Sequence, residues 1–210
     1  MGLFKKLFGG GDQESDKKVE KSIEQVKSGE ANKVYPILKP GNWPGIQAGA
    51  LKQTIIGSQE DPQMVLAFGY DTPDNFVFLM PRDLEGKDPN QVLQDAYQNL
   101  YDVNIEFEHS DGMLFGSGND FSAEKILDEN HMKKAHEILG AEELLVSIPR
   151  RTVMMITART EDNPKIAELS VVHSHTWNDD SYGNAPIMNA IFVVKEGSIA
   201  GVIPMDGTDE

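Results

Sequence analysis

The sequence predicts an α+β protein with a mostly antiparallel sheet built from hairpins and packed with three to four helices. Three observations carry that prediction. Short apolar runs come in pairs around turn signals, at Asp71-Thr-Pro-Asp74, Asp111-Gly112 and Glu196-Gly197, which is how hairpins read in sequence. Segments of helical periodicity open on capping residues, as at Asp88-Pro89 and Asp162-Asn163-Pro164. Strand pairs and helices do not alternate in the regular way that parallel βαβ units require.

In chain order, residues 1–31 read as a flexible, charged, amphipathic segment ahead of a single domain over 32–210. Leu3, Phe4, Leu7 and Phe8 can share one helical face, with Lys5 and Lys6 turned towards anionic headgroups. That arrangement suits weak peripheral membrane contact and is too short for a firm anchor. Lys6 stands where a myristoylation motif needs Ser or Thr, and the opening is too short for the apolar region of a secretory signal. Asp12–Ser28 reads as a lead-in helix with a narrow Val19, Ile23, Val26 stripe, stopped by Gly29.

Residues 32–57 are rich in Pro and Gly, with Trp43 in a turn and Lys52–Ile56 extended. Gln63–Tyr70 and Asn75–Met80 form the first hairpin. Asp88 caps a helix that carries Val92, Leu93, Ala96, Tyr97 and Leu100 on one side. Ile105–His109 and Met113–Ser117 form the second hairpin. Ser122 and Asn130 are each placed to cap a helix, and Gly140 closes the second. Two apolar runs in Glu142–Arg159 flank an Ile148-Pro149-Arg150-Arg151 corner and predict a central strand pair. Asp162–Pro164 announces a helix with Ile166, Leu169, His173 and Trp177 on one face, and Ile187–Val194 with Ser198–Ile203 makes the third hairpin.

Composition narrows the chemistry. The 210 residues carry a net charge of −15 and no cysteine, which removes disulfides, thiolate metal sites and a cysteine nucleophile. It fits a cytoplasmic protein. Residues 1–33 are close to neutral, so the body holds the negative charge; such a surface repels phosphate backbones and disfavours nucleic acid. A basic partner docking on the acidic face is the functional counterpart. There is no P-loop and no G-x-G-x-x-G fingerprint, so no cofactor is expected.

Among reactive side chains, His173, His175 and Asp179 form the best metal-binding candidate, the basis of an alternative reading as a metal-dependent hydrolase. On a strand the two imidazoles face the same side. On a helix they diverge by about 200° and the cluster dissolves, and the cap at Asp162–Pro164 favours the helix. His131 and His136 lack ligand spacing and are expected to face solvent. Phe115-Gly-Ser117-Gly lacks the first glycine of a nucleophile elbow. Arg150 and Arg151 are the chain's only Arg pair. One is expected to point inward to an ion pair, and the other can bind an anion or a partner's carboxylate.

Ala96-Tyr-Gln-Asn-Leu100, Asp120-Phe-Ser-Ala-Glu-Lys-Ile-Leu127, Leu145-Val-Ser-Ile-Pro149-Arg150 and the closing Lys195-Glu-Gly197 and Ile203-Pro204 hairpin residues resemble the YtpQ-like bacterial proteins, a family of unknown function, over about residues 85–205. The family's pattern at the corner is a Pro-x-Arg followed by an acidic or polar residue; here Arg151 and Thr152 follow Ile148-Pro149-Arg150. The resemblance implies no catalytic residues. The reading that follows is a cytoplasmic, non-enzymatic binding protein with a protein partner, of the kind that immunity-type or chaperone-like proteins exemplify. A homodimer stays open.

Overall fold

The computed structural model describes residues 13–205, with side chains from Lys17 onward. The amphipathic face of Leu3, Phe4, Leu7 and Phe8 lies outside the described residues. The fold is α+β: five helices and two sheets, every strand pair antiparallel among the described residues. The chain divides into two compact units, Met1–Asp102 and Val103–Glu210, where the sequence reading took 32–210 as one domain. The joint falls in a stretch around Asp102-Val103-Asn104 that carries no Gly, Pro or Ser, so it has none of the composition that marks a linker.

In the first unit, α1 (Gln13–Ser28) ends at Gly29, whose φ of +79° suits glycine and whose N–H donates to the Val26 carbonyl. β1 (Val34–Pro40) and β2 (Lys52–Gly57) flank β3 (Pro62–Asp71), and β4 (Phe76–Phe78) returns along the far end of β3. A single helical turn, α2 (Pro44–Gln47), follows Trp43. Met64–Gly69 of β3 are all buried, as a strand paired on both sides and covered on its faces requires. α3 (Pro89–Tyr101) starts where sequence placed it: the Asp88 carboxylate accepts from the Asn90 N–H at 3.0 Å and Pro89 holds the first helical position. Its Ala96 and Leu100 are sealed, and Tyr97 meets Phe68 edge-on at 6.3 Å.

In the second unit the strands are β5 (Glu108–Ser110), β6 (Met113–Phe115), β7 (Glu143–Ser147), β8 (Met155–Ala158), β9 (Ala190–Lys195) and β10 (Ser198–Pro204). They are ordered β10-β9-β7-β8-β6-β5. The turns at Asp111-Gly112 and Glu196-Gly197 have positive φ at both central residues, the geometry that two-residue hairpins favour. Register assigns the two faces. Leu145, Ser147, Met155, Thr157, Ile191 and Val193 share one face, while Leu144, Val146, Ile156, Phe192 and Val194 share the other. The first face packs on Leu169 and Ile166 of α5 (Lys165–Asn178). α4 (Glu129–Leu139) buries Met132 and Ala135. With the sheet buried on both faces, β7 and β9 read as continuous apolar runs rather than alternating ones.

Two expected helix starts move. Ser122 donates to the Asn119 carbonyl and opens only a 3-10 turn over Ala123–Leu127. The cap of α4 is Asp128 rather than Asn130: its carboxylate accepts from the His131 N–H at 3.1 Å. Gly140 closes α4 in the left-handed conformation, as expected.

Candidate functional site

The polar groups of the second unit converge on α5. Ser147, the last residue of β7, faces the helix side of the sheet, and its hydroxyl lies 2.9 Å from His173 Nδ1. His173 Nε2 lies 3.2 Å from Asn189 Oδ1, and Asn189 in turn donates its amide to the Met205 carbonyl at 3.0 Å. Because the Asn189 amide nitrogen is engaged by a carbonyl, its oxygen is left to accept. His173 is therefore the Nε2–H tautomer, and its Nδ1 accepts the Ser147 proton. Burial holds the imidazole below its ordinary pKa, partly offset by the bond to Asn189. The chain of Ser, His and Asn has the order of groups of a hydrolytic triad. Yet Ser147 and His173 both have 0% exposure, so no carbonyl can approach the hydroxyl, and the chain acts as a buried lock between sheet and helix.

Three residues further on, Arg150 holds the end of the same helix. Its side chain is 2% exposed. Nε donates to the Thr176 carbonyl at 2.9 Å, Nη2 to that of Trp177 at 2.7 Å, and Nη1 to that of Asn184. The last carbonyls of a helix lack intrahelical partners and lie at its negative end, so a guanidinium there satisfies both needs. Asp180 lies 3.6 Å from Nη2 and is fully exposed, while Tyr182 covers the guanidinium at 5.8 Å. The anion-binding expectation is thereby corrected for Arg150: backbone oxygens occupy its donors. Arg151 is half-buried, pairs with Asp120 at 3.3 Å and lies over Phe121 at 5.2 Å. Neither Arg lies within a strand: Arg150 makes an isolated bridge to Pro186, and Arg151 sits in the turn that follows.

The helix separates the metal candidates. His173 is sealed, His175 is exposed, and the Asp179 carboxylate accepts from the Ser181 N–H at 2.9 Å to open a 3-10 turn over Asp180–Tyr182. Among the described residues no group of three His, Cys, Asp or Glu could hold a metal ion. Ser117 is likewise structural: it donates to the Met154 carbonyl and accepts from the Met154 N–H, both at 3.0 Å.

A second buried cluster, which sequence reading missed, surrounds the start of α4. Lys125 and Asp128 form a 2.8 Å ion pair with side chains 3% and 9% exposed. His131 lies against Phe107, tilted by 31° with centroids 4.2 Å apart, and its Nε2 is buried without a hydrogen-bond partner. Burial, with Lys125 adding to it, pushes the His131 pKa down to about 4. His136 lies 2.7 Å from the Ala141 carbonyl, to which Nδ1–H donates, and Nε2 accepts from the Gly197 N–H. Both histidines were expected to face solvent. Their spacing relative to Met132 and Ala135 on the inner face of α4 was the available signal.

What remains open is an edge. β10 pairs with β9 on one side, and no strand among the described residues pairs with its other side. Ser198 to Pro204 contains no charged residue, Ile203 is 39% exposed, and the register shifts between Ile199 and Gly201. The unit that bears this edge carries eight Lys and Arg against nineteen Asp and Glu, a net of −11 out of the chain's −15. No helix among the described residues is long and apolar enough to cross a membrane. Comparison with family models, curated proteins and solved structures finds no match.

Proposed function

We propose that this protein is a cytoplasmic, non-enzymatic binding protein whose second unit receives an extended, basic segment of a partner protein along β10. The observation that carries the reading is the uncharged seven-residue edge of β10 in a unit of net charge −11. An unpaired edge offers backbone N–H and C=O groups to an added strand. The surrounding charge favours a basic strand by steering and disfavours a second copy of the same acidic unit. The bulge at Ala200 and the terminal Pro204 further limit pairing between copies. The sealing of the Ser147–His173 pair, whose groups have catalytic order, supports the non-enzymatic reading.

Hydrogen exchange with a ten-residue peptide of alternating Lys and Val tests this. The amides of 198–204 slow in its presence, an alternating Glu and Val peptide has no effect, and Ala200→Lys abolishes the protection. Equal protection by both peptides, or protection that grows with protein concentration alone, overturns the reading.

A further inference from the structure

We propose that the first unit holds a binding site for the branched aliphatic end of a small uncharged ligand, in the cavity between α1 and β4. This inference concerns a different unit and a different ligand from the β10 edge and stands independently of it. The cavity measures about 60 Å³ and is walled by Trp43, Phe76, Phe78 and Met80, with Val19 and Ile23 of α1 as its roof. Those three aromatic rings remain partly exposed, whereas the core residues Leu66, Phe68 and Leu79 of the same unit are closed to 2% or less.

The walls are set before any ligand arrives. Trp43 rests on Gly45, where an added Cβ would lie 2.1 Å from the indole, so only glycine lets the ring take this position. Trp43 and Phe78 meet at 4.6 Å between centroids, and Lys39 Nζ sits 5.9 Å and 5.3 Å from the two rings, which fixes the pair from a residue that does not line the cavity. α1 is tied down at this point by Lys21 to Asp74 at 3.0 Å and by Ser22 Oγ, 2.9 Å from Thr72 Oγ1.

Size and polarity choose the ligand. A volume of 60 Å³ is under half of the roughly 150 Å³ apolar cavity that accepts benzene, and it holds about four water-sized spheres. At the roughly 25 Å³ per carbon of that comparison, a branched three-carbon end fills the cavity, with its polar head outside; a flat six-carbon ring does not enter. Among the described residues no charged side chain lines the cavity, so an ionised group would be buried there unpaired. Ser22 and Asn75, which do line it, supply a hydroxyl and a carboxamide for one polar head.

Isobutanol is the probe. The chain has two tryptophans, so in Trp177→Phe the emission reports Trp43 alone. The expected result is a saturable change with a dissociation constant on the order of 1 mM, as a ligand of five heavy atoms allows, and a rise in the melting temperature of the parent chain. Ala48→Leu fills the cavity from the residue that caps the end of α2, and Val19→Phe fills it from α1; each weakens binding at least tenfold while its own unfolding transition stays cooperative. A linear, unsaturated response overturns the proposal, as does unchanged affinity in whichever filled variant folds. Phenol binding tenfold tighter than isobutanol overturns the choice of an aliphatic group.

Discussion

Ser147 Oγ lies 2.9 Å from His173 Nδ1 with both side chains at 0% exposure. A hydroxyl on the last residue of β7 thus holds in place a helix residue 26 places later, whose tautomer Asn189 sets. Removing the hydroxyl leaves a buried nitrogen acceptor without a donor, which costs about 1–3 kcal/mol. Ser147→Ala therefore lowers the urea midpoint without changing the slope of the transition. A loss below about 0.3 kcal/mol would show that this bond contributes nothing net.

Arg150 and Arg151 are adjacent, and their substitutions separate sharply. Arg150→Ala orphans the Thr176, Trp177 and Asn184 carbonyls and removes charge-assisted bonds, a loss of about 3–5 kcal/mol. Arg150→Lys keeps the charge but not the fork, and recovers less than half of the loss. Arg151→Ala breaks a pair whose Asp120 side chain is 65% exposed and costs about 1 kcal/mol or less. Chemical denaturation of the three variants checks the order; an Arg151 variant as damaged as Arg150→Ala would contradict it.

His131 governs acid stability. Its folded pKa, about 4, lies below the 6.5 of an ordinary imidazole. The unfolded chain therefore takes up the proton first as pH falls. The contribution is full above pH 6.5 and is lost between 6.5 and 4. At about 1.4 kcal/mol for each pH unit, the loss is on the order of 3 kcal/mol. His173, shifted in the same direction by burial, adds to it. His131→Phe, which keeps a ring against Phe107, flattens the decline in unfolding free energy between pH 7 and 4.5 relative to the parent. An identical slope in the variant counts against this account.

Gly197 and Gly183 both have positive φ, +83° and +68°, but their surroundings differ. A Cβ on Gly197 would lie 2.7 Å from the Glu129 carbonyl oxygen, backbone that cannot rotate away, while nothing lies within 4 Å of one on Gly183. Gly183→Ala carries only the cost of the left-handed conformation, about 1 kcal/mol. Gly197→Ala adds a displacement of α4 from the hairpin and costs about 3 kcal/mol in all. Melting temperatures of the two variants report the difference, and equal shifts would argue against the contact with Glu129.

Some of this was legible in the residues and some was not. The hairpin at Asp111-Gly112, the cap at Asp88 and the stop at Gly140 were, because each is settled by groups within four residues of one another. Asn130 was the expected cap of α4. The choice fell to Asp128 because its second oxygen takes the buried Lys125 ammonium, a partner that no capping rule anticipates. His173 and His175 could be separated only once the segment was known to be helical. Nothing in the local sequence pairs Ser147 with His173.

By itself the sequence determined the α+β class, the position of the hairpins and long helices, and the concentration of negative charge in the body, since turn chemistry, capping and composition act locally. Only the tertiary structure decided that the chain forms two compact units, that Arg150 closes the end of α5, and that no described strand pairs with the outer side of β10. Those outcomes depend on which faces pack together. Burial by distant elements, and not residue identity, decides whether a charge or a backbone edge is consumed inside the fold or left for another molecule.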